Sequence, residues 1–376
     1  TGHFKLMMNN ARLLFIPVSS ISGIGEYNRS LIIAKAIKEK WPNCEIHFIL
    51  NADVPYFSSC PFAVHPCQGS ATKDTKSVNR FIEEIKPNLV IFDASGRAQQ
   101  FKKAKEVGAK VAFISQHKKK RSRGLKLNRL LNTDIHWVVQ PDYCIEPLSW
   151  FQKTKLALFN RPSPKNVGAV YSVISESFTK QTLKKFNLIC DEYFVFNAGS
   201  GGHKSKEGLA ADIYYQAAID FYQQTQMPCV MVFGDNYPKD IPINSESNDN
   251  TAKNQTSGVV CMKSVDNNEF IALLTSAKGR VISAGDTILQ CIDLAKVSVA
   301  AAVSKDQPKR LAACAKQQLL IQAHLSREDL LHQALMSMDK DKSAKIIANM
   351  NKYVKLNALD QIINDIERVI SKKNDN

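Results

Sequence analysis

Hydrophobic positions along the chain fall in short continuous blocks, separated by stretches with helical spacing. The run ARLLFIPVS (11–19) has the length of a fully buried strand. A glycine turn follows it, and then EYNRSLIIAKAIKEKWP (26–42), whose Leu31, Ile32, Ala34 and Ile37 predict a helix. EIHFILN (45–51) is the next strand. SVNRFIEEIKPNLVIFDAS (77–95) reads as a helix, a stop at Pro87 and a strand over 89–93. FKKAKEVGAKVAFIS (101–115) repeats helix, glycine and strand, and IHWVVQPDY (135–143) supplies another strand. Strands alternating with helices imply a parallel sheet covered on both faces.

The segment LFNRPSPKNVGAVYS (158–172) interrupts this rhythm with two prolines and a glycine, as an interdomain linker does. The pattern then restarts. EYFVFNAGSGGHKSKEGLAADIYYQAAIDFYQQ is strand, glycine-rich turn and helix, and PCVMVFGD, GRVIS and the end of DTILQCIDLAKVSVAAAV supply later strands. Residues 245–258 are a polar insertion, expected on the surface, and the chain reads helical from about 343 to 370. The expected organisation is α/β, with two tandem Rossmann-like domains (8–162 and 163–342) and a cleft between them. A C-terminal segment, 343–376, is expected to pack its helix back on the first domain. The opening TGHFKLMMNN is read as preceding the fold, with a native start near Met7 or Met8 and no secretion signal after it.

Composition narrows the class. With 376 residues, 44% hydrophobic and 23% charged, the chain suits two soluble domains and excludes disordered and collagen-like proteins. No apolar run approaches the roughly 18–20 residues of a membrane span. Nine cysteines without a CxxC pair, and eight histidines without ligand spacing, predict no zinc, no disulfide framework and no structural metal. Scattered thiols fit a reducing cytoplasm. The net charge of +15 is uneven: residues 101–130 hold eleven Lys and Arg against Glu106 alone. The core of that stretch, QHKKKRSRGLKLNR, brings Lys118, Lys119, Lys120, Arg121 and Arg123 to the end of a strand. It lacks interleaved aromatics and any RNP, KH or zinc-finger pattern, which argues against nucleic acid. An anionic membrane surface, an acceptor phosphate or plain solvation remain open for it.

Strand, glycine-rich turn and helix occur twice, at SSISGIGEYNRS and NAGSGGHKSKEG. Such turns open where a parallel sheet binds ligands, and a helix start offers N–H groups to an anion. Neither is a Walker A loop, and the first lacks the third glycine of a dinucleotide fingerprint.

Here the chain resembles GT-B-fold glycosyltransferases of the peptidoglycan N-acetylglucosaminyltransferase type, and a related nucleotide-sugar hydrolase of the pseudaminic acid pathway. Gly23, Gly25 and Arg29 match a GxGHxxR turn, with Glu26 standing where that family has histidine. Gly199, Ser200, Gly201 and Gly202 stand at the loop that faces donor phosphates in the family. Val265 falls near the position whose backbone reads the base. VISAGDTILQ matches the family's strand, S-x-G turn and helix through Ser283, Gly285 and Thr287. The family's ribose-holding glutamate is absent, since Cys291 occupies its place and the nearest acids are Asp286 and Asp293.

The resemblance implies sugar transfer from a nucleotide donor to a polysaccharide, lipopolysaccharide or lipid-linked acceptor, without a metal or other cofactor. Leaving-group charge would be met by the amides of 199–202, by His203 and Lys204, and by Gln307, Lys309 and Arg310. Glu26 is the candidate base, or alternatively a first-turn acid complementing the helix dipole. Asp286 is an N-cap, touches the donor or, facing the anomeric carbon, acts as the catalytic nucleophile of a retaining mechanism. Asp93 is placed to hydrogen-bond the acceptor, with Arg97 as its partner or as a contact for a substrate anion. His203 is a solvated loop residue or a phosphate contact. The expected place of action is the cytoplasm or the inner face of its membrane. A nucleotide-sugar hydrolase or epimerase is the alternative on the same fold, and a non-catalytic polyanion binder the alternative of another class.

Overall fold

The computed structural model describes residues 7–20, 24–242, 254–256, 258–353 and 357–371. By internal contacts the chain forms two units, Thr1–Tyr171 with Leu356–Asn376, and Ser172–Lys355.

The first unit is built on a seven-stranded sheet, β1 (Arg12–Pro17), β2 (Glu45–Asn51), β3 (Ala63–Cys67), β4 (Leu89–Asp93), β5 (Lys110–Ser115), β6 (Ile135–Val138) and β7 (Lys165–Asn166). All neighbours are parallel, in the order β3-β2-β1-β4-β5-β6-β7. Its helices are α1 (Gly25–Lys40), α2 (Thr75–Ile85), α3 (Ala98–Glu106), α4 (Lys118–Gly124), α5 (Leu127–Leu130) and α6 (Trp150–Leu158). Successive strand residues point to opposite faces. Leu13 and Phe15 accordingly join one buried cluster with Ile33 and Ile37 of α1, while Leu14 and Ile16 join another with Val78, Ile82 and Phe101.

The second unit repeats the scheme. Its main sheet holds β8 (Phe194–Asn197), β11 (Cys229–Val232), β12 (Asn254–Thr256), β13 (Val259–Met262), β14 (Gly279–Ser283), β15 (Val299–Ala301) and β16 (Ile321–Gln322), in the order β12-β13-β11-β8-β14-β15-β16. Only β12, the described part of the polar insertion, runs antiparallel. A separate hairpin, β9 (Lys204–Ser205) with β10 (Gly208–Leu209), stands before the long helix. The helices are α7 (Glu176–Phe186), α8 (Ala210–Thr225), α9 (Asn267–Ser276), α10 (Asp286–Asp293), α11 (Gln307–Lys316), α12 (Arg327–Met336) and α13 (Lys340–Met350). No described helix is long and apolar enough to cross a membrane.

Two boundaries differ from the sequence reading. β7 pairs with β6, and Val167 and Val170 enter the first core, so the first unit runs past 162 to Tyr171. The C-terminal helical stretch is two helices, not one. α13 belongs to the second unit, and only α14 (Ala358–Ser371) returns to the first. There Ile362, Ile366 and Ile370 pack with Ile33 and Ile37. Asp365 accepts from Trp137 Nε1 at 3.0 Å and pairs with Lys165 at 3.1 Å.

Ile366 is fully buried, so Ile366→Ala should cost about 2–5 kcal/mol. The three tryptophans, Trp41, Trp137 and Trp150, all lie in the first unit. Urea denaturation followed by tryptophan emission should therefore show the loss directly, and an unchanged midpoint would mean that α14 does not complete this core.

Candidate functional site

In each sheet the strand order reverses between two central neighbours, β1 and β4 in the first unit and β8 and β14 in the second. Loops leaving the carboxyl ends of strands at such a point diverge and leave room for a ligand. The glycine turns found in the sequence follow β1 and β8, and the SAG turn follows β14.

In the first unit Gly23 lies outside the described residues. Gly25 is the first residue of α1, its φ is not positive, and a Cβ placed there would meet nothing within 4 Å. The backbone at Gly25 therefore does not require glycine. Glu26, partly buried, stands in the first turn. One turn later Arg29 and Ser30 point back at the end of β4. Asp93 is fully buried there, and Arg29 Nε reaches its two oxygens at 3.2 and 3.1 Å while Nη2 pairs with Oδ1. Ser30 Oγ donates to Oδ2 at 3.0 Å. Burial pushes the Asp93 carboxyl up, against the lowering effect of the Arg29 guanidinium. This corrects the expected role of Asp93. With both oxygens engaged inside the protein, it fastens α1 to β4 and does not reach an acceptor, and its partner is Arg29, not Arg97.

Sequence reasoning missed Gln116, which follows β5. Its side-chain Oε1 accepts from Arg29 Nη2 at 2.9 Å, and its Nε2 donates to Glu26 Oε1 at 3.1 Å. The amide thus joins the buried pair to the carboxylate at the edge. The Gln116 bond is made to one of the two Glu26 oxygens, Oε1.

The basic run is only partly a surface. Arg121 is buried and donates to the Glu146 carbonyl at 2.7 Å, and Lys118 pairs with the Glu146 carboxylate. Lys120 Nζ donates to the Ala94 carbonyl at 2.6 Å, leaving Lys119 and Arg123 exposed. The five cations expected to face one anion are therefore divided. Arg129 Nη2 donates to the Gly96 carbonyl at 2.5 Å, two residues from the carbonyl that holds Lys120. Burial, then the charge of Arg123, hold the Lys120 ammonium below its ordinary value, with Arg129 adding to this and the carboxylates of Glu26 and Asp93 opposing it; burial, then Arg123 and Arg97, lower Arg129. Lys120 and Arg129 are thus held on the carbonyls of loop 94–97, close enough to Arg123 to feel its charge.

The second unit closes its loops through backbone proximity. Asn197, another residue missed in the sequence, ends β8. Its Oδ1 accepts from Gly199 N at 3.0 Å, and its Nδ2 donates to the Gly199 and Val232 carbonyls at 3.1 and 2.8 Å. An Asx turn of this kind is the legible signal in FNAGSGG. Gly199 and Gly201 have positive φ, and a Cβ on Gly201 would lie 2.2 Å from the Phe233 carbonyl oxygen. Asn236 N donates to the Ser200 carbonyl at 2.8 Å, and Gly202 is exposed.

Ser283 reaches the same place, its Oγ 3.0 Å from a Cβ built on Gly199. A Cβ on Gly285 would lie 3.8 Å from both Ser283 Oγ and Gln307 Nε2. Gln307 is buried, its Oε1 accepting from Val303 N at 2.9 Å. Arg310 Nη1 donates to the Ala284 carbonyl at 3.2 Å, and its Nη2 pairs with Asp286 at 3.1 Å.

Gly199, Ser283, Gly285, Gln307 and Arg310 are therefore brought together. The N-cap of α10 is Gly285, so Asp286 is the first helical residue and not a cap. Thr287 follows it, partly buried, and Cys291 is buried with its thiol pushed up to about 11 by burial. His203 and Arg310 lie close enough to Asp306 to help hold that carboxyl low, although burial works the other way. Lys204 and Lys309 are exposed. The glycine loop does not run straight into a helix, because the β9–β10 hairpin intervenes and Ala210 N donates to the His203 carbonyl at 2.9 Å. Val265 lies after β13, with β11 and β8 between that strand and β14.

Among solved structures, the glycosyltransferase VinC in complex with dTDP superposes with a TM-score of 0.63 at 12% identity, over 96% of this chain and 100% of that one. This chain has the fold of the GT-B glycosyltransferases. The calicheamicin glycosyltransferase CalG4 gives 0.61 at 10% identity over 96% of this chain and 98% of its own. A Listeria monocytogenes protein described as a UDP-N-acetylglucosamine 2-epimerase gives 0.56 at 13% identity over 97% and 98%. No protein-family model and no curated protein sequence matches the chain. Among the described residues no three His, Cys, Asp or Glu side chains converge as metal ligands.

Gly201→Ala should be strongly destabilising, because the new Cβ meets a backbone carbonyl at 2.2 Å in a conformation that favours glycine. Gly25→Ala should leave the melting temperature unchanged or slightly raised. Equal effects of the two in a thermal melt would overturn the distinction between the turns. Arg29→Ala leaves Asp93 buried without its counter-charge and should cost about 3–5 kcal/mol in chemical denaturation.

Proposed function

We propose that this protein is a glycosyltransferase. It moves a sugar from a nucleotide donor to a polysaccharide, lipopolysaccharide or lipid-linked acceptor at the inner face of the cytoplasmic membrane, without a metal. The observation that carries this reading is the convergence of the 199–202 loop, the SAG turn and Gln307 at the switch point of the second sheet. A glycine-lined loop admits a diphosphate close to backbone amides, and Arg310, held by Ala284 and Asp286, offers charge to the leaving group. Val265 would meet the base. Asp286 acts by orienting Arg310; this use of its carboxylate speaks against a role as nucleophile.

Glu26 is the base on the first unit. Gln116 holds one carboxylate oxygen, and that bond would orient the other to take a proton from an acceptor hydroxyl. Loop 94–97, whose carbonyls hold Lys120 and Arg129, is the place for an anionic acceptor group, with Arg97 and Arg123 as further cations to meet its charge. The alternative, hydrolysis or epimerisation of a nucleotide sugar, draws support from the fold of the Listeria protein.

A thermal-shift screen across UDP, GDP, CDP, CMP and dTDP should single out one nucleotide. A ligand at 100 times its dissociation constant stabilises by about 2.7 kcal/mol. With the matching radiolabelled sugar, label should enter a lipid or glycan fraction only when membrane extract is added. Release of free sugar without extract would favour the hydrolase, and no nucleotide response at all would sink both. Glu26→Gln should lower turnover roughly 10²–10⁴-fold with nucleotide affinity unchanged, whereas a folded variant with normal turnover removes Glu26 from the mechanism.

A further inference from the structure

Helix α6 is turned the wrong way for a helix of a water-soluble surface. Its Leu156 is buried against Leu125 and Leu130, yet Trp150, Phe151 and Leu158 are 71%, 76% and 76% exposed. At 3.6 residues per turn these three project from one side, opposite Leu156. The helix itself is firmly made. Ser149 and Gln152 form a reciprocal capping box, and the Trp150 and Phe151 rings meet edge to face at 5.2 Å. An outward apolar face on a well-ended helix marks an interaction surface.

The neighbouring chemistry indicates what covers it. Gln152 Nε2 donates to Ser122 Oγ at 3.3 Å and Lys155 Nζ to the Leu125 carbonyl at 3.2 Å, so α6 lies alongside the basic helix α4. The cations of α4 not used internally, Lys119 and Arg123, are exposed, as are Lys126 and Lys153. Leu127 and Leu131, on and just after α5, are also 43% and 38% exposed. The local acid Glu146 is already paired with Lys118. Tryptophan, phenylalanine and leucine beside unneutralised lysine and arginine is the composition of an interfacial helix on an anionic bilayer. A second copy of the chain would set these cations against their own kind, and base recognition has no use for the leucines.

We propose that the outer face of α6, with Lys119, Arg123, Lys126 and Lys153, docks the protein on an anionic lipid surface, the side chains of Trp150, Phe151 and Leu158 entering the headgroup boundary. It rests on the reading above for the membrane location, for which it gives a physical means, and shares with that reading this location and Arg123. Vesicle binding is measured without any sugar transfer, so either can fail while the other stands.

The test is co-sedimentation of the full chain with vesicles of phosphatidylcholine alone and of phosphatidylcholine with phosphatidylglycerol. Binding should favour the anionic vesicles, weaken with salt, and shift tryptophan emission to the blue through Trp150, since Trp41 and Trp137 are already buried. Phe151→Ser with Leu158→Ser should weaken binding by roughly tenfold or more. Lys119→Ser and Arg123→Ser should each weaken it roughly fivefold, and only on the charged vesicles. Unchanged Trp41 and Trp137 emission in the free variants verifies the fold. The proposal is overturned if wild type ignores anionic vesicles, or if the apolar variant binds them as wild type does. It is equally overturned if sedimentation velocity shows a dimer that the apolar variant abolishes, which would make a second copy the occupant.

Discussion

The pairing of Arg29 with Asp93 is the constraint on which the first unit's functional edge depends. Two charges are taken out of water where α1 meets the end of β4, and each is matched by the other, with Ser30 and Gln116 completing their hydrogen bonds. Apolar residues of similar volume would hold a helix on a sheet at least as strongly. What they would not provide is direction: a guanidinium facing a carboxylate fixes the rotation of α1 about its axis, and with it the angle at which Glu26, one turn earlier, leaves the helix. Gln116 carries the same constraint outward by offering its oxygen to the cation and its nitrogen to the Glu26 carboxylate.

The second unit meets the same topological situation by different means. Its switch point is held by close approach of peptide groups, with Asn197 as the staple and Gly201 admitted against the Phe233 carbonyl. Charge enters only at the rim, where Arg310 is fixed by a carbonyl and by Asp286. One edge is thus organised around an ion pair and is intolerant of losing either member. The other is organised around missing side chains and is intolerant of gaining one.

Much of this was legible in the residues. The buried runs 12–17, 89–93 and 279–283 are strands because parallel sheets covered on both faces need continuous apolar segments, and the two restarts of the pattern are the two sheets. β3 escaped notice because AVHPC is short and half-polar, and the hairpin after the second glycine turn because two-residue strands leave no periodicity. The roles of Asp93 and Arg121 were misjudged for one reason: a charged residue at a strand end looks the same in sequence whether it faces a ligand or an internal partner, and the partner of Asp93 lies 64 positions away. Gln116 left no signal at all, since a single amide between a strand and a lysine run has no pattern. The outward face of α6 was written in SWFQKTKLAL, but an apolar stripe at helical spacing shows which side is greasy and not whether it is covered.

The return of α14 to the first unit has a bearing on how the protein comes into being. The second unit is spliced into the first, so the first cannot finish its core until Ala358–Ser371 has been synthesised, after every residue of the second. Domains on a ribosome ordinarily close in the order in which they emerge. Here the order is inverted: the half that begins first waits with Ile33 and Ile37 of α1 lacking their α14 partners, while the inserted half already has its full complement of strands. During that interval the apolar face of α1 that receives Ile362, Ile366 and Ile370 lacks them, and a chaperone would meet the unfinished unit then.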